Sequence, residues 1–343
     1  AYIKCILLPM REKYLNVSLY KIVASLMIVG FHFYFCFSSQ DTQFELLLSK
    51  GMLGLTALSG FLHAEKKIHS CGRFFFDKLW RIIFPFLVGM GLIAIWNLIV
   101  YANDQSVSYA ILFFGKRVCD GGLLFAFGNG FYVFYILGCY LLLIILKKIN
   151  GKLELLFGFV VVAIECTVSF FFGYTLLLTA FLIGYFIGRK NFAIYVDPSK
   201  QSIPQLVTYG FIIIFFIYGL NAIFCVPKVN IKFINYTYRF LTEICLDGFG
   251  VSSLFFFLLA VKRVNKLNLN FCWKSFIFLG DLSYPIYIMD LAFMVGGSNV
   301  TNFVDNRGLK ILLTYVFTIG FAFIIFLIFK SFTLPKQRKQ IKY

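Results

Sequence analysis

Runs of apolar sequence recur along almost the entire chain, each near the 17–25 residues that a bilayer-crossing helix requires. They fall near 15–38, 44–62, 82–101, 129–146, 153–171, 174–189, 205–225, 240–261, 275–296 and 310–330. In hydrocarbon every backbone N–H and C=O must find its partner within the segment, so such runs fold as helices. The expected fold is an all-α membrane protein, a bundle of ten transmembrane helices forming one domain over residues 1–343. An even count puts both termini on one side. The first run is preceded by Arg11 and Lys13 with no cleavage pattern, so it reads as a spanning helix and not as a removed signal.

Composition excludes the main alternatives. With 60% hydrophobic and 14% charged residues, this is not a soluble globule. A net charge of +17 suggests nucleic acid at first sight. The basic residues, however, sit in short loops between apolar runs, where topology and anionic lipid headgroups account for them, so no nucleic-acid partner is expected. Of the 32 Lys and Arg residues, 24 fall on the side of the termini and 8 on the other, which makes that side cytoplasmic. Nine cysteines, odd in number and without a CxxC pair, read as apolar fillers. His63, His69 and Cys71 lie in a basic cytoplasmic loop with no zinc spacing, so no metal is expected.

Inside the first run stand two ionisable residues, Lys21 and His32. Eleven residues at about 100° each return to within about 20° of the same face, about 16 Å along the helix. A face carrying both looks into a bundle interior or a wet cavity. A snorkelling lysine and a histidine bonded to a neighbouring helix are the plainer alternative. At the start of the third run, Lys78 and Arg81 share a face at i and i+3, ahead of Pro85. Either they are membrane-surface anchors, or with Lys21 they make a cationic site the size of a phosphate. Small residues (Gly51, Gly54, Ser59-Gly60) mark the second run as a close-packing helix.

Four acids fall within spanning segments: Glu165, Glu243, Asp247 and Asp290. Glu243 follows Arg239 by one turn, so an Arg239–Glu243 pair at the outer surface is expected. Asp290 lies at about the depth of His32, where a carboxylate would fix the imidazole's tautomer and favour its protonated form.

In this order, the motifs resemble the acyltransferase-3 family of integral membrane acyltransferases. The resemblance rests on Lys21 and His32 separated by ten residues, Ser59-Gly60-Phe61-Leu62, Lys78-x-x-Arg81 with Pro85, and Leu282-Ser283-Tyr284-Pro285-Ile286-Tyr287. It implies a ten-helix bundle that takes an acyl group, usually acetyl, from cytoplasmic acetyl-CoA and passes it to a hydroxyl, commonly on a surface or exported glycan. His32 matches the family's essential histidine and Lys21 its basic partner; Lys78 and Arg81 match its basic pair. Two places depart from the family: Asp290 stands where many members have histidine, and Asn129-Gly130-Phe131-Tyr132 stands where many have His-Leu-Trp-Phe.

Charge and resemblance combine into one scheme. Lys21, Lys78 and Arg81 hold the donor's phosphates at the cytoplasmic face, His32 acts as general base on the acceptor hydroxyl, and Asp290 supports the imidazole. An acyl-histidine intermediate is the variant of this scheme. The expected setting is a bacterial inner membrane, with lipid and a glycan or lipid-linked saccharide as partners. A transporter or flippase for lipid-linked glycans is the rival, since intramembrane charge and a wet cavity suit it equally.

The topology has a direct check. In a background stripped of native cysteines, an external thiol reagent should label a cysteine placed at Ser106 and miss one placed at Asn150. The opposite pattern would invert the bundle.

Overall fold

The computed structural model describes residues 14–37, 43–100, 130–149, 151–172, 175–225, 232–266, 270–289 and 304–340. Among them the regular structure is helical: α1 (Leu15–Phe37), α2 (Gln43–Ser49), α3 (Gly51–His63), α4 (Cys71–Val100), α5 (Gly130–Lys148) and α6 (Lys152–Phe172). There follow α7 (Leu177–Val196), α8 (Ile203–Phe224), α9 (Lys232–Val261), a short 3-10 turn (Lys262–Lys266), α10 (Asn270–Asp281), α11 (Ser283–Met289) and α12 (Arg307–Gln340). Among the described residues, seven helical stretches are long and apolar enough to cross a bilayer. Their large exposed side chains are apolar, as on α6 (Phe159, Ile164) and α8 (Phe211, Phe215, Tyr218), which is the surface of a multi-pass membrane protein. The loop 102–128 and Asp290 lie outside the described residues.

The short helix α3 is the centre of the packing, with α1, α7 and α9 around it. Glycines bring it into backbone contact with α7. A Cβ added to Gly184 would collide with the Ala57 carbonyl, and one added to Gly60 with the Phe181 carbonyl. At Gly188 it would sit 2.6 Å from the Phe61 carbonyl oxygen. Gly184 and Gly188 form a G-x-x-x-G pair, the spacing that lets two helices in lipid approach closely. Phe61 then fills the space beyond, its ring stacked on Phe192 at 4.8 Å and edge-on to Tyr195 and Phe255.

Buried polar groups tie the remaining helix ends. Asn16, fully buried, donates from Nδ2 to the carbonyls of Tyr195 (2.9 Å) and Leu258 (3.1 Å), joining α1 to the ends of α7 and α9. Glu165 on α6 accepts the N–H groups of Leu178 (2.8 Å) and Thr179 (2.6 Å) and the Thr179 hydroxyl (2.7 Å). It therefore caps the first turn of α7, whose N–H groups have no partner within the helix.

Several elements differ from the sequence expectation. α4 starts at Cys71, ahead of residue 82, because Phe74 faces inward and packs on His63 and Tyr140. α9 starts at Lys232 because Phe233, Tyr236 and Phe240, on one face, meet Phe170. The segment 44–62 is broken at Lys50, and the segment from 275 is broken at Leu282. At the second break Pro285, which has no N–H to offer the Asp281 carbonyl, falls in the first turn of α11, where that donor is not needed. The expected Arg239–Glu243 pair is not made. Lys50 takes Glu243, and Arg239 is exposed.

The α3–α7 contact predicts an asymmetric response to glycine replacement. Gly184→Leu should lower the unfolding midpoint in detergent, by the equivalent of about 1–3 kcal/mol for an overpacked site. Gly91→Ala, where an added Cβ meets nothing within 4 Å, should be neutral or raise it by about 0.5–1 kcal/mol. Equal midpoints for the two variants would refute the close-contact reading.

Candidate functional site

Two pockets open at opposite ends of α1's polar line, and α3 contributes to both. The Lys21 pocket has a cavity of about 300 Å³. Its walls come from α1 (Lys21), α3 (Ser59, His63), α4 (Lys78, Arg81), α5 (Tyr132, Tyr140) and α11 (Ser283, Tyr284, Tyr287). The three cations singled out in the sequence thus line one cavity, although Lys21 is 57 positions from Lys78. Tyr284 donates to the Ile82 carbonyl at 2.8 Å, one turn around Pro85, which pins α11 to α4 beside Arg81.

His63 belongs to this pocket too. The sequence placed it in a loop; it is the last residue of α3, one turn beyond Ser59. Its Nδ1 lies 2.8 Å from the Ser59 carbonyl oxygen. A carbonyl only accepts, so Nδ1 carries the proton and Nε2 is left as an acceptor. Nε2 receives the Lys78 ammonium. The ring of Tyr140 lies under the same ammonium at 4.6 Å from its centroid, and the Tyr140 hydroxyl is 2.8 Å from Ser59 Oγ. Lys78 lies one turn before the apolar segment that starts at 82. Its burial, followed by the nearby charges of Lys66, Arg81 and Lys21, pushes its pKa down to about 7; Asp77 opposes this weakly. With that excess of positive charge the cavity suits a polyanion, and Arg81 adds a fork able to grip a phosphate at two oxygens.

The His32 pocket, with a cavity of about 290 Å³, is lined by α1 (Ile28, Phe31, His32), by Leu46 and Ser49 of α2, by Lys50 and Met52, and by Thr175, Glu243, Leu246 and Tyr287. His32 tilts against Phe31, ring centroids 5.1 Å apart. Lys50, 5% exposed, reaches Glu243 and Asp247 at 2.8 Å each. Asp247 is held in turn by the Leu176 N–H at 2.7 Å. The two ionic groups that line this pocket, Lys50 and Glu243, offset each other, whereas three cations line the Lys21 pocket. Asp290, the expected partner of His32, follows α11 directly and lies outside the described residues.

Tyr287 lines both cavities. It packs edge-on to Tyr132 at 4.8 Å, and Tyr132 is hydrogen-bonded to Thr56 at 3.3 Å. Tyr287 is therefore a wall shared by the cationic cavity and the histidine cavity, backed by Tyr132 on the cationic side. Sequence reasoning missed His63, Lys50 and Tyr140. The one available signal was that His63 follows Ser59 by four residues, so the two share a helix face.

No curated protein and no solved structure matches the chain significantly. The family model described as an acyltransferase domain does match, over residues 14–333, which takes in every pocket-lining residue named above. A match of that extent settles the kinship that the lysine, histidine and Lys-x-x-Arg spacings suggest: the chain belongs to the acyltransferase-3 family and is a membrane acyltransferase.

Proposed function

We propose that this protein is a membrane O-acyltransferase of ten spans with cytoplasmic termini. It moves an acyl group, acetyl first among candidates, from cytoplasmic acetyl-CoA to a hydroxyl of a cell-surface or exported glycan, in a bacterial inner membrane. The observation that carries the proposal is the pairing of the two pockets. A cavity with three cations from two helices adjoins, through Tyr287, a second cavity that holds an intramembrane histidine.

In this reading the donor's phosphates sit against Lys21, Lys78 and Arg81. Its pantetheine arm passes Tyr287, and the thioester carbonyl reaches His32, about 16 Å from Lys21 along α1. His32 takes the proton of the acceptor hydroxyl as the oxygen attacks the thioester carbon. The C–S bond then breaks, and the thiolate takes the same proton back from the imidazolium. Asp290 favours that imidazolium by its charge. The mutually offset charges of Lys50 and Glu243 suit a neutral hydroxylated acceptor. Two pockets sharing a wall at Tyr287 also fit alternating access in a flippase, and coenzyme A distinguishes the two, since only the acyltransferase has use for it.

Two variants test the division of labour. His32→Ala should keep coenzyme A affinity and lose at least about 10²-fold in transfer, the usual contribution of a general base. Arg81→Ala should weaken coenzyme A binding in a folded, inserted protein, and Arg81→Lys should recover it only in part, because lysine offers a point charge and no fork. Retention of more than about a tenth of turnover in His32→Ala, a loss too small for a general base, would refute the assigned base. Asp290→Asn should shift the pH–rate profile to lower pH, since removing an anion lowers the imidazole's pKa.

A further inference from the structure

Lys78 is surrounded by charge of its own sign. Lys21 faces it from α1, Lys66 from the segment after α3, and Arg81 from its own helix, and Asp77 opposes them. From α3 comes the neutral Nε2 of His63, and from α5 and α11 come the uncharged phenols of Tyr140 and Tyr284. A second anchor holds the imidazole still, since its Nδ1–H is committed to the Ser59 carbonyl. The ring therefore presents an acceptor at a fixed point, and the amine of Lys78 is held there whether or not it is charged: both –NH₂ and –NH₃⁺ have an N–H to donate.

We propose that the Lys21 pocket binds its polyanion together with a proton, with Lys78 taking up the proton and His63 as the positioning residue that keeps the amine in the cavity. The identity of the anion as coenzyme A rests on the donor reading above; the proton coupling rests on the cluster itself. An incoming phosphate brings negative charge next to an amine whose burial and cationic neighbours disfavour its charged form, and so favours the ammonium. Binding linkage is reciprocal, so the proton must in turn favour the phosphate.

The sign follows from the direction of the shift. In the empty pocket Lys78 is pushed down to about 7, and a bound anion raises it. Below that pH the amine is already charged, and the anion binds without taking up a proton at Lys78. Above it, each binding event takes up as much as one proton, and affinity falls by up to about tenfold per pH unit. Arginine at this position is always charged and has no proton to gain.

The test is calorimetry on the full chain in lipid nanodiscs, in buffers of different ionisation enthalpy, with coenzyme A and inorganic pyrophosphate as probes. Phosphates themselves titrate near neutral pH, so the readout is the difference in proton uptake between wild type and Lys78→Arg. That difference should be near zero at about pH 6 and approach one proton at about pH 8.5, on either side of the lowered lysine. His63→Gln, whose amide oxygen still accepts from Lys78, should keep the difference; His63→Leu should lose it. Coenzyme A binding with no such difference overturns the inference and leaves the donor reading standing. Pyrophosphate binding with the difference, but no coenzyme A binding, keeps the inference and removes the donor reading. Failure of both ligands to bind removes both.

Discussion

The structure depends on how closely α3 can approach α7. Thirteen residues of α3, about 20 Å of helix, carry the far wall of one pocket at Ser59 and His63 and, with Lys50 just before it, a wall of the other at Met52. The helix is too short to be held by length of contact, and lipid supplies no hydrophobic drive between apolar surfaces. What holds it is intimacy: Gly60 under the Phe181 carbonyl and Gly184 under that of Ala57 put backbone on backbone. Dispersion contacts and the exclusion of lipid then act over the full facing surface. Any side chain at these positions would push α3 outward, and both cavities would change together.

Charge placement follows the same frame. At one end of α3, cations gather around a neutral imidazole; at the other, a buried ammonium is held by two carboxylates. A buried ion cluster is a poor source of stability, because desolvation offsets most of the attraction. Its use here is polarity. The two cavities share the wall at Tyr287 and differ in charge: three cations line one, and an internally offset Lys50–Glu243 pair lines the other. Glu165 and Glu154 are spent on structure: one caps α7, the other pairs with Arg189 and accepts from Tyr185.

Much of this was readable from sequence because it is local. Apolar run length finds the seven stretches that are long and apolar enough to span among the described residues, and helical arithmetic places Lys21 and His32 on one line of α1 and Lys78 beside Arg81. Partner choice between distant segments was not readable. Glu243 lies one turn from Arg239, yet its salt bridge goes to Lys50, 193 positions away, because α9 turns that carboxylate into the bundle and leaves Arg239 exposed. Lys50, six residues into the run 44–62, counts in sequence only as a cation of the outer side, and His63 reads as a loop residue because charge follows it. The G-x-x-x-G pair of α7 was in plain view and signals a close helix contact, though not with which helix. Pro285 permits a helix start just after Leu282 but does not require one, since α4 runs through Pro85 unbroken.

The central claim is that a donor held by the cationic cavity reaches past the shared wall at Tyr287 to His32. An acyl-CoA carrying a photoreactive group at the end of its acyl chain tests this directly, with adducts mapped by mass spectrometry after illumination in nanodiscs. The account predicts adducts on the Ile28–His32 stretch of α1 and on Tyr287, displaced by excess coenzyme A. Adducts confined to the outward faces of α6 and α8, or unaffected by coenzyme A, would contradict it.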